Sequence, residues 1–204
     1  MKTHLSNLSQ VWRGLARTAV PGLVALLVLG LSACTTVLPT PIASASTGQA
    51  LRSAGLAPAA VGDFKLAPGL PALMDTELSG GLRGGNIVAP GGSYAQHLRQ
   101  VLLTELHSAG LLDNEARVRI EGQLTQSQVD AAIGTGTARL AARFQVLREG
   151  RPVFDKELVA DDSWDSSFVG AVAIPRAIEH YGQLYRTLID QLVGDADFRR
   201  ALAR

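Results

Sequence analysis

The sequence predicts an α+β domain of two layers, in which two helices cover one face of a mainly antiparallel sheet. Three observations lead to this class. Long segments alternate apolar and polar residues, as strands with one wet face do. Two others repeat apolar residues every three or four positions, as helices on a core do. The predicted elements follow one another in the order β-α-β-β-β-α, and their apolar faces can bury each other in two layers.

The first strand and the first helix begin the predicted domain. Residues 61–67 alternate imperfectly, which indicates a short strand. Ser93 and Gln96 have the spacing of a capping box, in which each side chain satisfies an exposed backbone N–H. We expect the following helix to end at Gly110. Its apolar face contains Tyr94, Leu98, Val101, Leu102, Leu106 and Ala109.

Three strands follow the first helix. Residues 117–124, 137–148 and 151–160 alternate apolar and polar side chains, the second segment most cleanly. Glu149-Gly150 between the last two segments is typical of a tight hairpin turn. This pattern predicts an antiparallel sheet with one face in water.

The last predicted helix is the longest. We expect a turn at residues 161–167 before it, Gly194 at its end, and a short helical turn within 195–203. Pro175 lies either in the first turn, where proline is tolerated, or inside a helix that begins near Phe168, and the sequence leaves both open. The apolar stripe contains Ile174, Ala177, Ile178, Tyr181, Leu184, Tyr185, Leu188, Ile189 and Leu192.

Residues 68–92 are dense in glycine and proline. They lack the Gly-Lys-Ser/Thr ending of a phosphate-binding loop and the glycine spacing of a dinucleotide-binding loop. Two interpretations remain for this segment. It is either a mobile loop without chemistry, or a partner-binding loop in which Leu82, Arg83 and Ile87 make the contacts.

Residues 1–33 have the parts of a secretory signal peptide. Three basic residues and no acids precede an apolar run at 19–29, which is shorter than the ~20 residues that cross a bilayer comfortably. Then follows Leu31-Ser32-Ala33-Cys34, which resembles the lipobox of bacterial lipoproteins. The resemblance implies cleavage before Cys34 and attachment of diacylglycerol and a further acyl chain such as palmitate to that cysteine.

The sequence divides into a signal peptide (1–33), a disordered tether (34–60) and a single periplasmic α+β domain (61–204). The tether prediction rests on a composition of small and polar residues with a single charge. Without residues 1–33, 16 bases face 18 acids, so the formal charge is −2. This charge gives no attraction for nucleic acid or for anionic headgroups, and membrane binding then depends on lipid at Cys34.

The residues that carry metal or catalytic chemistry are sparse. His97 and His107 would lie on different faces of their helix, and no His or Cys spacing typical of zinc occurs. There is no Gly-x-Ser-x-Gly elbow of a serine hydrolase. The acidic run 161–165 lacks the glycine and terminal glutamate of a calcium loop. The sequence therefore predicts neither an enzyme, nor a metal site, nor a cofactor.

The strongest candidates for partner binding are Arg117, Arg119, Arg139, Arg143 and Trp164. The four arginines fall on the predicted wet face of the sheet. They are either ordinary surface charge or a patch for an acidic partner or lipid phosphate groups. The tryptophan is either a lid on the core or a platform for a ligand.

A lipobox followed by this order of elements is similar in outline to small outer-membrane accessory lipoproteins. These include the lipopolysaccharide-assembly lipoproteins and the auxiliary lipoproteins of lipid-transport systems. The resemblance implies a non-enzymatic accessory subunit that docks onto an envelope protein complex. Thr35 is not the aspartate of an inner-membrane retention signal, which favours the outer membrane, facing the periplasm. The alternative is a binding module for an envelope lipid or glycan, with its ligand between the sheet and the helices.

Overall fold

The computed structural model describes residues 35–78 and 81–203. The predicted signal peptide and the predicted lipidation site Cys34 lie outside these residues. The described strands are β1 (Thr35–Val37), β2 (Ala60–Leu66), β3 (Glu77–Leu78), β4 (Asn86–Val88), β5 (Val118–Asp130), β6 (Gly134–Arg148) and β7 (Arg151–Ser166). The described α-helices are α1 (Ala45–Ser53), α2 (Leu73–Thr76), α3 (Tyr94–Ala109), α4 (Gly170–Gly194) and α5 (Ala196–Ala201).

The main sheet has four strands in the order β2-β5-β6-β7. Strands β5, β6 and β7 form an antiparallel meander, while β2 pairs with β5 in parallel. A parallel pair needs a crossover, and α3 supplies it between β2 and β5. The predicted α+β class is confirmed. The elements β2, α3, β5, β6, β7 and α4 follow one another in the predicted order, while the parallel pair and the elements β1, β3, β4, α1 and α2 were not predicted.

The inner face of the main sheet packs on α3 and α4. Inward positions alternate along each strand, so that Ile120, Leu140, Phe144 and Val146 are fully buried. The predicted tight turn lies between β6 and β7. Glu149 and its neighbour Gly150 both have positive φ, at 52° and 79°, as a two-residue hairpin turn that follows the strand twist requires.

Strand β7 continues through the segment for which we expected a turn. Residues 161–166 pair with β6 as far as Gly134, so the turn prediction at 161–167 is wrong. The continuation depends on Gly136, because a Cβ at that position would lie 2.3 Å from Cε2 of Trp164. Glycine leaves the space that the indole ring fills on the adjacent strand.

Helix α3 begins at the predicted cap. The Ser93 hydroxyl accepts a hydrogen bond from the Gln96 backbone N–H (3.1 Å). The reciprocal half of the box is absent, because the Gln96 amide donates instead to the carbonyl of Phe64 on β2 (2.6 Å). Gly110 ends the helix in the left-handed conformation, with φ 72°. The cap therefore also ties α3 to the neighbouring strand.

Helix α4 begins with Val169 as its N-cap and carries Pro175 inside it. This resolves the two alternatives in favour of the earlier start. Pro175 is exposed and lacks the N–H that would bond to a carbonyl one turn earlier, so one helical hydrogen bond is missing near the helix start. Asp195 caps the short helix α5, whose Phe198 is fully buried.

Residues 35–60 are ordered, so the prediction of a disordered tether is corrected for this segment. Helix α1 packs across α3 and α4, where Leu51 is fully buried. The Thr47 hydroxyl donates to the carboxylate of Asp190 on α4 (2.5 Å). Farther along, the Ala59 N–H donates to the carbonyl of Leu111 (2.9 Å). The small residues of this segment, whose composition suggested disorder, allow α1 to approach the other helices closely.

The glycine-rich segment 68–92 is also more regular than either interpretation supposed. It contributes α2, β3 and β4, and β4 lies between β1 and β3 in a second, three-stranded sheet. Leu82 and Ile87 are fully buried and cannot contact a partner, which corrects that part of the prediction. Arg83 is exposed, and its guanidinium donates to the Phe168 carbonyl (3.0 Å).

The contact between Gly136 and Trp164 gives a stability prediction. We expect Gly136→Ala to lower the free energy of unfolding by about 1–3 kcal/mol, because the added methyl group overlaps the indole ring. Denaturant titration followed by tryptophan fluorescence measures this change.

The matched control is Gly182→Ala in α4, where a Cβ meets no heavy atom within 4 Å. We expect this variant to be as stable as the parent or more stable by roughly 0.5–1 kcal/mol, because alanine favours helix. Equal midpoints for the parent and Gly136→Ala would contradict the packing described for Trp164.

Candidate functional site

The side chains of β5, β6 and β7 that point away from α3 and α4 form a surface that we name the outer face. Arg139 Nη1 lies 2.7 Å from Asp161 Oδ1 on the neighbouring strand. Arg143 binds Asp155 through two hydrogen bonds of 2.5 and 2.8 Å. The Gln145 amide donates to the same carboxylate at 2.9 Å. We name these five residues the charge ladder.

Hydrogen bonding sets the protonation states in the charge ladder. The bonds from Arg143 and Gln145 lower the pKa of Asp155, and the bond to Asp155 raises the pKa of Arg143. Both groups therefore stay ionised at neutral pH. Because water screens exposed ion pairs, they contribute little to stability, and the ladder mainly orders side chains on the outer face.

The outer face is not the free basic patch that the arginines suggested. Arg139 and Arg143 are bound within the ladder, and Arg117 lies 3.6 Å from Glu149 with both side chains highly exposed. The stem of Arg119 covers Gly62 on β2. The four arginines share this face with six acids: Glu121, Asp130, Asp155, Glu157, Asp161 and Asp165.

Trp164 lies on the opposite face of the sheet from the four arginines. Its ring is only 6% exposed and stacks on the His180 ring, with centroids 4.3 Å apart and an interplanar angle of 6°. The His180 Nδ1 atom lies 2.6 Å from a carboxylate oxygen of Asp162. The grouping of Trp164 with the arginines is therefore corrected, and its position fits the core-lid interpretation.

A groove with a cavity volume of about 880 Å³ borders the charge ladder. It lies beside the second half of β5, where pairing with β2 has ended at Leu124. Leu73, Met74 and Leu78 supply apolar side chains, while the Arg139–Asp161 ion pair forms part of the polar wall. The volume falls within the range of small-molecule sites.

No sequence pattern indicated the groove. It needs α2 and β3, which fall in the segment interpreted as an irregular loop, and it needs the extension of β5 beyond Leu124. The alternation of Ser127 and Val129 could have predicted that extension, since both are buried. The pairing that places α2 beside β5 joins distant segments and leaves no local pattern.

A chain of tyrosines fills the interior beneath α4. The Tyr181 hydroxyl lies 2.7 Å from the Ser127 hydroxyl and 2.8 Å from that of Tyr185. Burial raises the pKa of both tyrosines, so they remain neutral. His97 on α3 meets Tyr185 edge to face, and burial lowers its pKa to about 4. These groups stabilise the core as neutral partners.

The described part of the chain offers little for catalysis. No group of three His, Cys, Asp or Glu residues within it could hold a metal ion. There, the His180 ring hydrogen-bonds to Asp162 and to no serine or cysteine that it could activate. Among the same residues, no helix is both long and apolar enough to span a bilayer.

Comparison with known proteins gives a likeness of fold. No protein-family model matches the sequence, and no curated protein does. The structure is similar to the crystal structure of protein XCC0632 from Xanthomonas campestris, of the family DUF330. The TM-score is 0.54 at 11% identity, over 81% of this chain and 96% of that one. At this identity the similarity shows a shared fold alone.

Two further solved structures are more distant. A hypothetical protein from Chlamydia trachomatis matches with a TM-score of 0.41 at 12% identity, over 68% of this chain and 96% of that one. A minor lipoprotein from Acinetobacter baumannii matches with a TM-score of 0.35 at 16% identity, over 70% and 89%. Scores this low support no argument about function.

The buried His97 gives a prediction about pH. Its pKa is about 4 in the folded state against 6.5 ordinarily, so only the unfolded chain binds its proton between these values. The contribution of neutral His97 to the free energy of unfolding is therefore complete above pH 6.5 and is lost as the pH falls towards 4. When the pH is lowered from 7.5 to 4.5, we expect the free energy of unfolding of the unsubstituted protein to fall by about 2 kcal/mol more than that of His97→Phe.

Denaturant titrations at both pH values measure this difference. His107→Gln, an exposed position on the same helix, should keep the parent's pH dependence. If His97→Phe and the parent lost stability equally, His97 would not be the group that resists protonation.

Proposed function

We propose that this protein is a non-enzymatic lipoprotein, anchored to a membrane through lipid on Cys34, that docks as an accessory subunit onto an envelope protein. The partner binds the outer face. The anchor places the domain in the periplasm, at the outer membrane, because Thr35 follows the cysteine in place of an aspartate. The proposal for the anchor rests on the lipobox, which is a property of the sequence.

The single observation behind docking is that the helices cover one face of the main sheet while the outer face is open. The three strands of the outer face, β5, β6 and β7, cover roughly 40 by 14 Å at the usual strand spacings. This corresponds to an area on the order of 600 Å². Standard interfaces bury about 800 Å² on each partner, so the area is of the right size.

The charge ladder suits this face to recognition. Its side chains are held by hydrogen bonds before any partner arrives, so less conformational entropy is lost on binding. Alternating acids and arginines select a partner with the complementary pattern, and a mismatch would bring like charges together.

Capture of the native protein tests the docking proposal. Tagged protein is purified from membranes in mild detergent, and the associated proteins are identified. We expect one stoichiometric envelope protein with the parent and little of it with Cys34→Ala, because the unlipidated protein is no longer held beside its partner. Lipidation itself is read from the mass of the purified parent.

The outer face is tested with a matched pair of variants. Arg143→Ala removes one side of the central ion pair and is expected to reduce the captured partner by about tenfold, equivalent to 1.4 kcal/mol. Arg151→Ala, exposed at the start of β7, should leave capture unchanged. Equal capture by both variants would show that the partner binds elsewhere.

The alternative function is binding of an envelope lipid or glycan, and the 880 Å³ groove favours it. Apolar side chains of α2 would contact an acyl chain or a sugar face, while Arg139 and Asp161 would meet polar groups. Leu73 is 58% exposed and lies at the wall of the groove, which makes it the position to change.

A ligand in the groove would be seen by extraction of the purified protein and mass spectrometry. If the alternative holds, Leu73→Lys lowers the bound lipid or glycan severalfold, because a lysine ammonium is costly to place in an apolar groove. Val153→Lys, exposed at the far end of the sheet, retains the ligand. A parent that yields no ligand would rule this function out.

A further inference from the structure

Four large apolar side chains are exposed at one end of the main sheet. Phe168 is 78% exposed, Ile133 63%, Val169 55% and Val172 54%. We name them the apolar tip. Ile133 lies in the β5–β6 connection, Phe168 and Val169 lie in the β7–α4 connection, and Val172 lies in the first turn of α4. A contiguous apolar patch on the surface usually marks an interaction site.

The two loops of the apolar tip are held together. Gly134 at the start of β6 pairs with Ser166 at the end of β7, so both connections leave the same end of the sheet. The Ser166 hydroxyl also donates to the carbonyl of Ala131 in the other loop (3.4 Å). The apolar tip is therefore one surface and not two separate loops.

Several backbone groups at the apolar tip form hydrogen bonds within the protein. The Phe168 carbonyl accepts from Arg83, and the Val169 N–H donates to the Ser167 hydroxyl (3.0 Å). The Ala131 N–H donates to the carbonyl of Gly81 (2.8 Å). Satisfied backbone groups lower the cost of moving the loops out of water.

The described chain begins close to the apolar tip. Thr35 pairs with Asn86 on β4, and a Cβ at the preceding residue, Gly85, would lie 3.4 Å from a methyl group of Ile174 near the start of α4. At ordinary strand spacings, the Cα atom of Thr35 is within roughly 17 Å of that of Ile174. Cys34 is joined to Thr35 by one peptide bond, so the proposed lipid would be attached to the residue next to Thr35.

We propose that the apolar tip lies in the interfacial layer of the bilayer that holds the lipid on Cys34. This inference rests on the proposed lipid anchor and adds a second membrane contact. The positive charges of two arginines near the tip are balanced by the negative charges of two aspartates. These residues are Arg83, Arg176, Asp130 and Asp165. Membrane binding by the tip therefore requires no anionic lipid. The contact sets the domain's orientation: β6, with 15 residues, carries the opposite hairpin roughly 50 Å from the tip.

Depth-dependent quenching tests this contact. The mature lipidated protein is reconstituted into phosphatidylcholine vesicles with or without bromine on the lipid chains. Phe168→Trp reports on the apolar tip, and Val153→Trp, 47% exposed near the opposite hairpin, is the matched control. Once residues 1–33 are removed, Trp164 is the one native tryptophan, and it is buried.

We expect brominated lipid to reduce the added fluorescence of Phe168→Trp at least about twofold and to leave Val153→Trp unchanged, since interfacial residues lie about 5–10 Å into the headgroup and acyl boundary. If both variants float with the vesicles but the fluorescence of Phe168→Trp is not quenched, the lipid anchor is supported and the tip proposal is overturned. A protein partner would then be the occupant of the apolar tip. If the protein does not float with vesicles at all, the lipid anchor fails and the tip proposal fails with it.

Discussion

The hydrogen bonds of the Tyr181 hydroxyl determine how α4 lies on the sheet. This hydroxyl is buried between Ser127 on β5 and Tyr185 on the same helix. A shift of α4 along its axis would break the bond to Ser127 and leave that buried hydroxyl without this partner, while the bond between the two tyrosines moves with the helix. Each unsatisfied buried group costs about 1–3 kcal/mol. At 1.5 Å per residue, fixing Tyr181 sets the helix start near the apolar tip and places Asp190 roughly 13 Å farther on, where α1 binds.

The meander was predictable because its signals are local. Alternation and the Glu149-Gly150 turn define β6 and the first part of β7 without knowledge of the rest of the chain. The end of β7 escaped prediction because residues 161–165 are mostly polar, as turns are. One of them, Asp162, points inward, and the structure tolerates it because its carboxylate hydrogen-bonds to His180. The hydrogen-bond partner of Asp162 lies 18 residues farther along the sequence, so the alternation of apolar and polar residues in a strand cannot reveal it.

The ordered segment 35–60 and the site depend on contacts between distant residues in the same way. Thr47 meets Asp190 across 143 positions, and composition alone gives no sign of it. The sequence placed Arg139 and Arg143 on the wet face correctly. Their neutralisation depends on which β7 residues they meet, and the pairing register decides that. The groove beside β5 requires α2, whose four residues are too few for a periodic signal.

The order in residues 35–60 changes what an anchored domain can do. A disordered segment of 26 residues has an average end-to-end distance of about 28 Å, so it would let the domain move by that distance from the membrane. In the structure this segment is bound to α3, α4 and the second sheet, so the domain begins at Thr35, directly after the proposed lipid-bearing residue. Little free chain then separates lipid from domain. Under the proposed lipid anchor, a domain held this closely would rest some surface against the bilayer, and the first strand begins near the end that carries the apolar tip. In that orientation the strands of the outer face would run away from the membrane, where the proposed periplasmic partner would reach them.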